Sequence, residues 1–504
     1  MLGFEEPEAI DDALLHKQPA MRGLRKHTHK LLVLTLSLSL AVVMVLRASA
    51  SAQPPLNLQS TTAKQWRGVS FGGWLVMEIN PSSRYPNAPM DLRPRWMYDQ
   101  IEANSELDFV TALRRDHGDE YAIATMKNHW TGYISDEMID AALALGVDTV
   151  RLPVGYWIMD APVGGSSPLE YGISPEGFVT GGLNHLRAML VKLKSRGIGA
   201  LVDLHAMPCN SACVSNGLYC NAPLAFAGAP IGDIPRCDGG VHKTTRTASG
   251  DVTTWTDVGV QSAGALAEWL AALPAEAATV VAMQLANEPA LGVPGLYDEG
   301  VNAFYTQAHA AARAHLPETP LILSFMGPTP AAMSILHSLG HSLLADHHYY
   351  LNWQALSEPL GWPEIHRRAC AAEAEGGVHD ISKYTDAGLR LIVGEWSLAI
   401  NLDATMDLSD PTTVKELRRF YHEQATTFSG MDAVAGHFFW TLRMGSGWDP
   451  RPTDSHPHGR QLQQSSAWRS LPGYPYPVWS LLEMAEAGVA TPLTETDASV
   501  CAGM

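Results

Sequence analysis

Eight short apolar runs, spaced by longer segments with helical periodicity, constrain this chain more than any other feature. They read RGVSFGGW (67–74), VDTVRLPV (147–154), IGALVDLH (198–205), VVAMQLANE (280–288), PLILSFM (320–326), LLADHHYY (343–350), LRLIVGEW (389–396) and VAGHFFWT (434–441). Each is a near-continuous apolar run, with little of the apolar–polar alternation of a half-exposed strand. That is how a strand covered on both faces reads.

The segments between them carry helix signals. ISDEMIDAALALG has Ser135 as N-cap, acids in its first turn and Gly146 at its exit. LNHLRAMLVKLKSRG sets Leu183, Leu186, Leu190 and Leu193 on one face and stops at Gly197. AGALAEWLAALP lines up Leu266, Trp269, Leu270 and Leu273 before Pro274. Strands alternating with helices imply a parallel sheet, and eight such units close a (β/α)8 barrel. The predicted fold class is therefore α/β, a TIM barrel forming a single domain over 66–504. It carries long insertions after strand 1 (80–130) and strand 3 (206–254).

The N-terminus stands apart from that domain. Residues 1–30 carry Arg22, Arg25, Lys26 and Lys30, ahead of the uncharged run LLVLTLSLSLAVVMVL (31–46). The segment 31–47 reads as a signal anchor or a cleavable signal peptide, and 48–65 as a linker. The long lead and its inner positive cluster favour a membrane anchor with a cytoplasmic N-terminus. Either reading sends the body of the chain into the secretory pathway, anchored at the cell membrane or secreted. A formal charge of −18 argues against nucleic acid as a partner, since a polyanion rewards a basic face.

The six cysteines fit export. Cys209, Cys213, Cys220 and Cys237 crowd one loop, with Cys370 and Cys501 remote. The loop spacings lack the paired knuckles of a zinc site, so disulfides are expected. Three pairings of the loop cysteines remain open.

Polar residues gather where the apolar runs end. The tips carry Arg151, His205, Asn287 with Glu288, His348 with Tyr350, Glu395, and Trp440. In a barrel, strand C-termini converge on the face where active sites lie. One such residue alone has a structural reading; six tips together do not. Two carboxylates facing a cleft suit glycoside hydrolysis, one as acid and base, the other as nucleophile or activator of water. The acid must hold its proton and the nucleophile must stay ionised, which Arg151 near Glu395 would favour. Trp440 would offer an apolar platform to a sugar. A catalytic metal is not expected: His347 and His348, adjacent on a strand, point to opposite faces. Nor is a nucleotide site, for want of a G-x-G-x-x-G pattern after a strand.

These same stretches resemble glycoside hydrolase family 5, and within it the fungal-type exo-β-1,3-glucanases. RGVSFGGWLVMEINPS, RLPVGYW, DLH, LANEP, DHHYY, GEWS and HFFWT occur in the family's order from 66 to about 441. The resemblance implies a TIM barrel and a retaining mechanism that needs no cofactor, acting on β-glucan. It implies Glu288 as acid/base and Glu395 as nucleophile, with Glu78, Arg151, His205, Asn287, His348, Tyr350 and Trp440 holding the sugar. It also implies a Cys370–Cys501 bond. After DLH the sequence departs from the family, reading AMPCNSACVSNGLYCN where a G-x-Q-N-G loop is usual. Release of glucose from chain ends, endo-cleavage of β-1,6 or β-1,4 linkages, and glucan binding without catalysis are the functions to separate.

Overall fold

The computed structural model describes residues 64–78, 103–210, 217–289, 296–325, 327, 329–340, 342–351, 360–372, 381–400, 407–444, 448–453, 455–458, 460–461, 477–494 and 498–502. The apolar run at 31–46 and the rest of the N-terminal segment lie outside them. Among the described residues no helix is long and apolar enough to cross a membrane.

All eight apolar runs form parallel strands. They are β1 (Trp66–Ser70), β2 (Thr149–Gly155), β3 (Gly199–Ala206), β4 (Val280–Gln284), β5 (Leu321–Ser324), β6 (Leu343–Tyr349), β7 (Leu391–Trp396) and β8 (Val434–Phe439). Each pairs with its neighbours in sequence, and β8 returns to β1 with Trp66 opposite Gly436, closing the barrel. The described helices are α1 (Glu106–His117), α2 (Asp119–Gly132), α3 (Asp136–Ala144), α4 (Gly182–Ser195), α5 (Trp255–Ala271), α6 (Leu296–Arg313), α7 (Pro330–Ser338), α8 (Trp362–Ala371), α9 (Ser382–Asp386), α10 (Pro411–Gly430) and α11 (Leu481–Glu486).

The helix signals hold at their termini. Ser135 caps α3 by accepting from the Met138 N–H, whereas α5 begins ahead of the run AGALAEWLAALP, at Trp255, with Thr254 capping it in a box with Asp257. Leu183, Leu186, Leu190 and Leu193 of α4 are all fully buried. On α5, Leu266 and Leu270 are buried while Trp269 is only half-buried, so the inward face is narrower than its sequence implies. The insertion after β1 is not mere loop: its described part folds as α1 and α2. The insertion after β3 carries a two-stranded ribbon, Ile234–Pro235 against Val241–His242.

The barrel is filled in layers. Leu201, Ala282, Ile322, Leu344, Ile392, Ala435 and Phe438 form a cluster separate from the main core, with Trp66 packed on it. These residues come from successive strands and plug the barrel interior. Side chains two positions apart on a strand share a face. Two positions beyond the apolar layer the strands present Asp203, Gln284, Ser324 and Asp346, all buried. This second, polar layer is the floor of the face where the strands end.

Two disulfides are described. Cys209 pairs with Cys220 in the loop after β3, and Cys370 on α8 pairs with Cys501. The second is the bond the family resemblance implied. It ties the turn Ala498–Cys501 to α8 across a sequence separation of 131. Replacing Cys370 and Cys501 together by serine is expected to lower stability by about 2–5 kcal/mol, because a long loop regains its unfolded freedom. Denaturation midpoints under non-reducing conditions measure this.

Candidate active site

Glu395 sits near the end of β7, and strict alternation would aim it outwards. Ile392 belongs to the inner cluster, so Val393 faces out, residue 394 faces in and residue 395 faces out again. The strand pairing slips here: His347 lies opposite Val393, but His348 lies opposite Glu395. This irregularity at Gly394 gives Glu395 the inward face, as bulges beside functional sites do. Gly394 has no room for a side chain, since a Cβ there would meet the Asp346 carboxylate at 2.0 Å. Its N–H donates to Asp346 Oδ1 at 2.9 Å.

Glu395 is 5% exposed and accepts from two side chains. Arg151 Nη1 donates to Oε1 at 2.7 Å and the Tyr350 hydroxyl to Oε2 at 2.8 Å. His348 Nδ1 stands 3.4 Å from Oε2. Glu288 comes from the segment beyond β4, which ends at Gln284. Asn287 and Glu288 are thus loop residues, not the strand tip that the apolar run suggested. His348 Nδ1 lies 2.7 Å from Glu288 Oε1. One ligating atom each of Glu288, His348 and Glu395 falls within 4.8 Å of the others, so the two glutamates face each other across His348. The Glu288 side chain, 23% exposed, is the more open of the pair.

Arg151 knits this site to the polar layer. Its Nη2 donates to Asn287 Oδ1 at 2.7 Å and lies 3.0 Å from Asp203 Oδ2; its Nε donates to Gln284 Oε1 at 3.2 Å. Asp346 accepts from Gln284 Nε2 at 2.9 Å and meets His348 Nε2 at 3.0 Å. On the far side His205 Nδ1 meets Asp203 Oδ2 at 2.6 Å, and its Nε2 bonds Glu78. The His205 ring stacks on Trp440 with centroids 5.5 Å apart and planes within 7°. The Trp440–Thr441 peptide is cis. Tyr350 packs on Trp479, ring centroids 5.3 Å apart.

The structure therefore brings together all nine residues expected from sequence: Glu78, Arg151, His205, Asn287, Glu288, His348, Tyr350, Glu395 and Trp440. Sequence reasoning missed Asp203, Gln284 and Asp346. Their signal was present: each is a polar side chain inside an otherwise apolar strand.

The electrostatics differ from expectation. The acid was expected to hold its proton and the nucleophile to be ionised. Burial works to raise Glu288, yet the hydrogen bond and charge of His348, then His205 and Arg151, carry it below its ordinary value. Glu395 is raised, by burial and by Glu288, against the pull of His348 and Arg151. The two carboxyls are thus biased opposite to the catalytic order, because His348 bonds Glu288 while Glu395 is the more deeply buried. Burial likewise opposes charge on His348, but Glu395 and Asp346 hold it well above the usual imidazole range.

For His205, burial favours the neutral ring, yet Glu78 and Asp203 push its pKa up from 6.5 to about 10. A base raised on folding contributes stability that is complete below its unfolded pKa and lost as pH climbs through the folded one. Stability is therefore expected to fall between pH 6.5 and about 10. The loss is on the order of a few kcal/mol, and His348 adds to it with the same sign. His205→Gln should be less stable at pH 6.5 but decline less steeply above it, as thermal unfolding against pH would report.

Glu288, His348 and Glu395 are the one group of metal-ligand type found among the described residues. Both His348 nitrogens meet carboxylates, Nδ1 that of Glu288 and Nε2 that of Asp346. His347 turns away, its ring edge-on to Tyr384 at 5.8 Å. The described contacts of the group are hydrogen bonds and ion pairs among His348, Glu288, Asp346 and Glu395.

The family model for cellulase, glycosyl hydrolase family 5, matches residues 115–428. Among curated relatives, the probable glucan 1,3-beta-glucosidase A of Aspergillus niger is 24% identical over 337 residues, 66% of this chain and 65% of that protein. The protein of that name from Emericella nidulans is 32% identical over 151 residues, 30% of this chain and 31% of its own length. The Aspergillus clavatus one is 24% identical over 442 residues, covering 78% of this chain and 89% of that protein. The chain thus spans less than two thirds of the first two relatives' lengths. Among solved structures, AoRut is 15% identical, with a TM-score of 0.53 over 86% of this chain and 98% of that one, a likeness of fold.

Proposed function

Since the chain belongs to glycoside hydrolase family 5, we propose that it cleaves β-glucan with retention of anomeric configuration, Glu395 acting as nucleophile and Glu288 as acid/base. The observation that carries this reading is the approach of the two carboxylates, with ligating atoms within 4.8 Å. Retaining enzymes hold their carboxyls roughly 5–5.5 Å apart, whereas inverting ones leave about 6.5–9.5 Å for a water.

In the first step Glu395 Oε attacks the anomeric carbon. The bond from that carbon to the bridging oxygen breaks, and Glu288 delivers its proton to the departing oxygen. In the second, Glu288 takes a proton from water, whose oxygen displaces Glu395 and restores the β-configuration. Arg151 and Tyr350 hold Glu395 on the axis of attack. The downward bias of Glu288 fits its base form. Its acid form requires the bridging oxygen to take the place of His348 at the carboxyl and so free it from the imidazolium. As Glu395 becomes an ester its negative charge disappears, which lowers Glu288 further and readies it as base.

The curated relatives are named glucan 1,3-beta-glucosidases, and the reading for this chain is exo-action on β-1,3-glucan with glucose released from non-reducing ends; the two-step chemistry also allows transfer of the sugar to another glycan. The opposing reading within the family is endo-cleavage of β-1,6 or β-1,4 linkages. A glycan panel with product identification separates them: laminarin yielding glucose alone is the expected result, and oligosaccharide products would favour the endo reading. A glucan-binding protein without catalysis is disfavoured by the presence of both carboxylates and their supports. We further propose export through 31–46, as a membrane anchor or cleaved signal. N-terminal sequencing of the mature protein separates the two: a retained segment marks the anchor, which the long lead and positive cluster favour, and a start beyond it marks a cleaved signal.

A further inference from the structure

The loop after β3, where this chain departs from its family, reaches back under the acid/base. Asn210 is 2% exposed and its carboxamide is fully engaged. Oδ1 accepts the Met207 N–H at 2.5 Å, while Nδ2 donates to the His205 carbonyl and to the Asn287 carbonyl, each at 2.6 Å. One side chain thus ties the end of β3 to the peptide that precedes Glu288.

That peptide needs holding. Glu288 has φ of 40°, a left-handed conformation that a residue with a side chain keeps only where its surroundings over-determine it. Its N–H donates to Ser324 Oγ at 3.3 Å, and the Ser324 carbonyl accepts from the Tyr305 hydroxyl at 2.6 Å. The Asn287–Glu288 peptide is therefore gripped at both ends, its carbonyl by Asn210 and its amide by Ser324.

Asn210 is itself anchored. The preceding Cys209 also takes a left-handed conformation, φ 62°, and is bonded to the fully buried Cys220. The Pro208 carbonyl accepts from the Ala225 N–H at 2.9 Å, and the Gly217 carbonyl from the Leu107 N–H at 3.2 Å.

We propose that Asn210, held by the Cys209–Cys220 disulfide, is a positioning residue that fixes the Asn287–Glu288 peptide and so aims the acid/base carboxyl at the departing oxygen. This rests on the reading of Glu288 as acid/base. A misaimed acid harms substrates in proportion to their need for protonation, whereas a general loosening of the barrel harms all substrates alike.

The test uses the full chain and a series of aryl β-glucosides, or aryl β-laminaribiosides, of graded leaving-group acidity. Asn210→Asp keeps the size and the acceptor for Met207 but loses the donor to both carbonyls. Its kcat/KM is expected to fall about tenfold to a hundredfold on phenyl substrates while dinitrophenyl substrates stay within about threefold. The double variant Cys209→Ser with Cys220→Ser should move in the same direction. Glu288→Ala serves as the reference, with a steeper leaving-group dependence and rescue by azide. An equal loss on all substrates, or none on any, overturns the role of Asn210. A flat double-cysteine variant beside a steep Asn210→Asp overturns the part given to the disulfide. If Glu288→Ala itself lacks leaving-group dependence, it is the acid/base assignment that fails.

Discussion

Glu395→Gln is expected to abolish glucose release from laminarin, by roughly 10³-fold or more, as removal of a nucleophile does. The protein should stay folded. Glutamine keeps an oxygen for Arg151 Nη1, now 2.7 Å from Oε1, and Arg151 retains Asp203 at 3.0 Å as a counter-charge. The amide is a poor nucleophile and cannot form the glycosyl ester, so both steps stop. Reducing-sugar release beside a thermal melt checks both halves. Substantial residual turnover by a folded variant would remove Glu395 from the role.

Arg151→Met should be the most destabilising single change at the site. The guanidinium is fully buried, 2.7 Å from Glu395 and 3.0 Å from Asp203. Removing it leaves these buried carboxylates without that cation, and breaking such a pair costs about 3–5 kcal/mol. It also removes a charge that opposes the upward push of burial on Glu395. The Glu395 carboxyl should then titrate higher still, and the acidic limb of the activity profile should move to higher pH. Arg151→Lys keeps the charge but not the fork that serves Asn287, Gln284 and Glu395 together. It is expected to recover part of the stability and little of the activity. Denaturation midpoints and pH–rate profiles of both variants test this. A Met variant as stable and as active as the parent would contradict the account.

Much of this was legible in the sequence, for a physical reason. A strand buried on both faces must be apolar, so eight apolar runs gave the barrel, and side chains that break that rule at the tips gave the site. The limits are equally physical. The run VVAMQLANE does not reveal that β4 stops at Gln284, because Leu285 and Ala286 are as fit for a strand as for the buried irregular segment they form. Alternation misdirects at β7, where only Gly394, a glycine inside a strand, hinted at the irregularity that turns Glu395 inward. The bias of the two carboxyls depends on which of them His348 bonds, and no spacing encodes that. The pairing of Cys209 with Cys220 required the course of a loop that composition alone leaves open.

The central claim is that Glu395 becomes covalently bonded to the sugar while Glu288 tends the proton. The most direct measurement is to incubate the protein with a fluorinated β-glucoside that slows the second step, then map the adduct by peptide mass spectrometry. The account predicts a single glucosyl ester on Glu395, absent from Glu395→Gln. An adduct on Glu288 or elsewhere, or inverted product with no adduct formed, would contradict it.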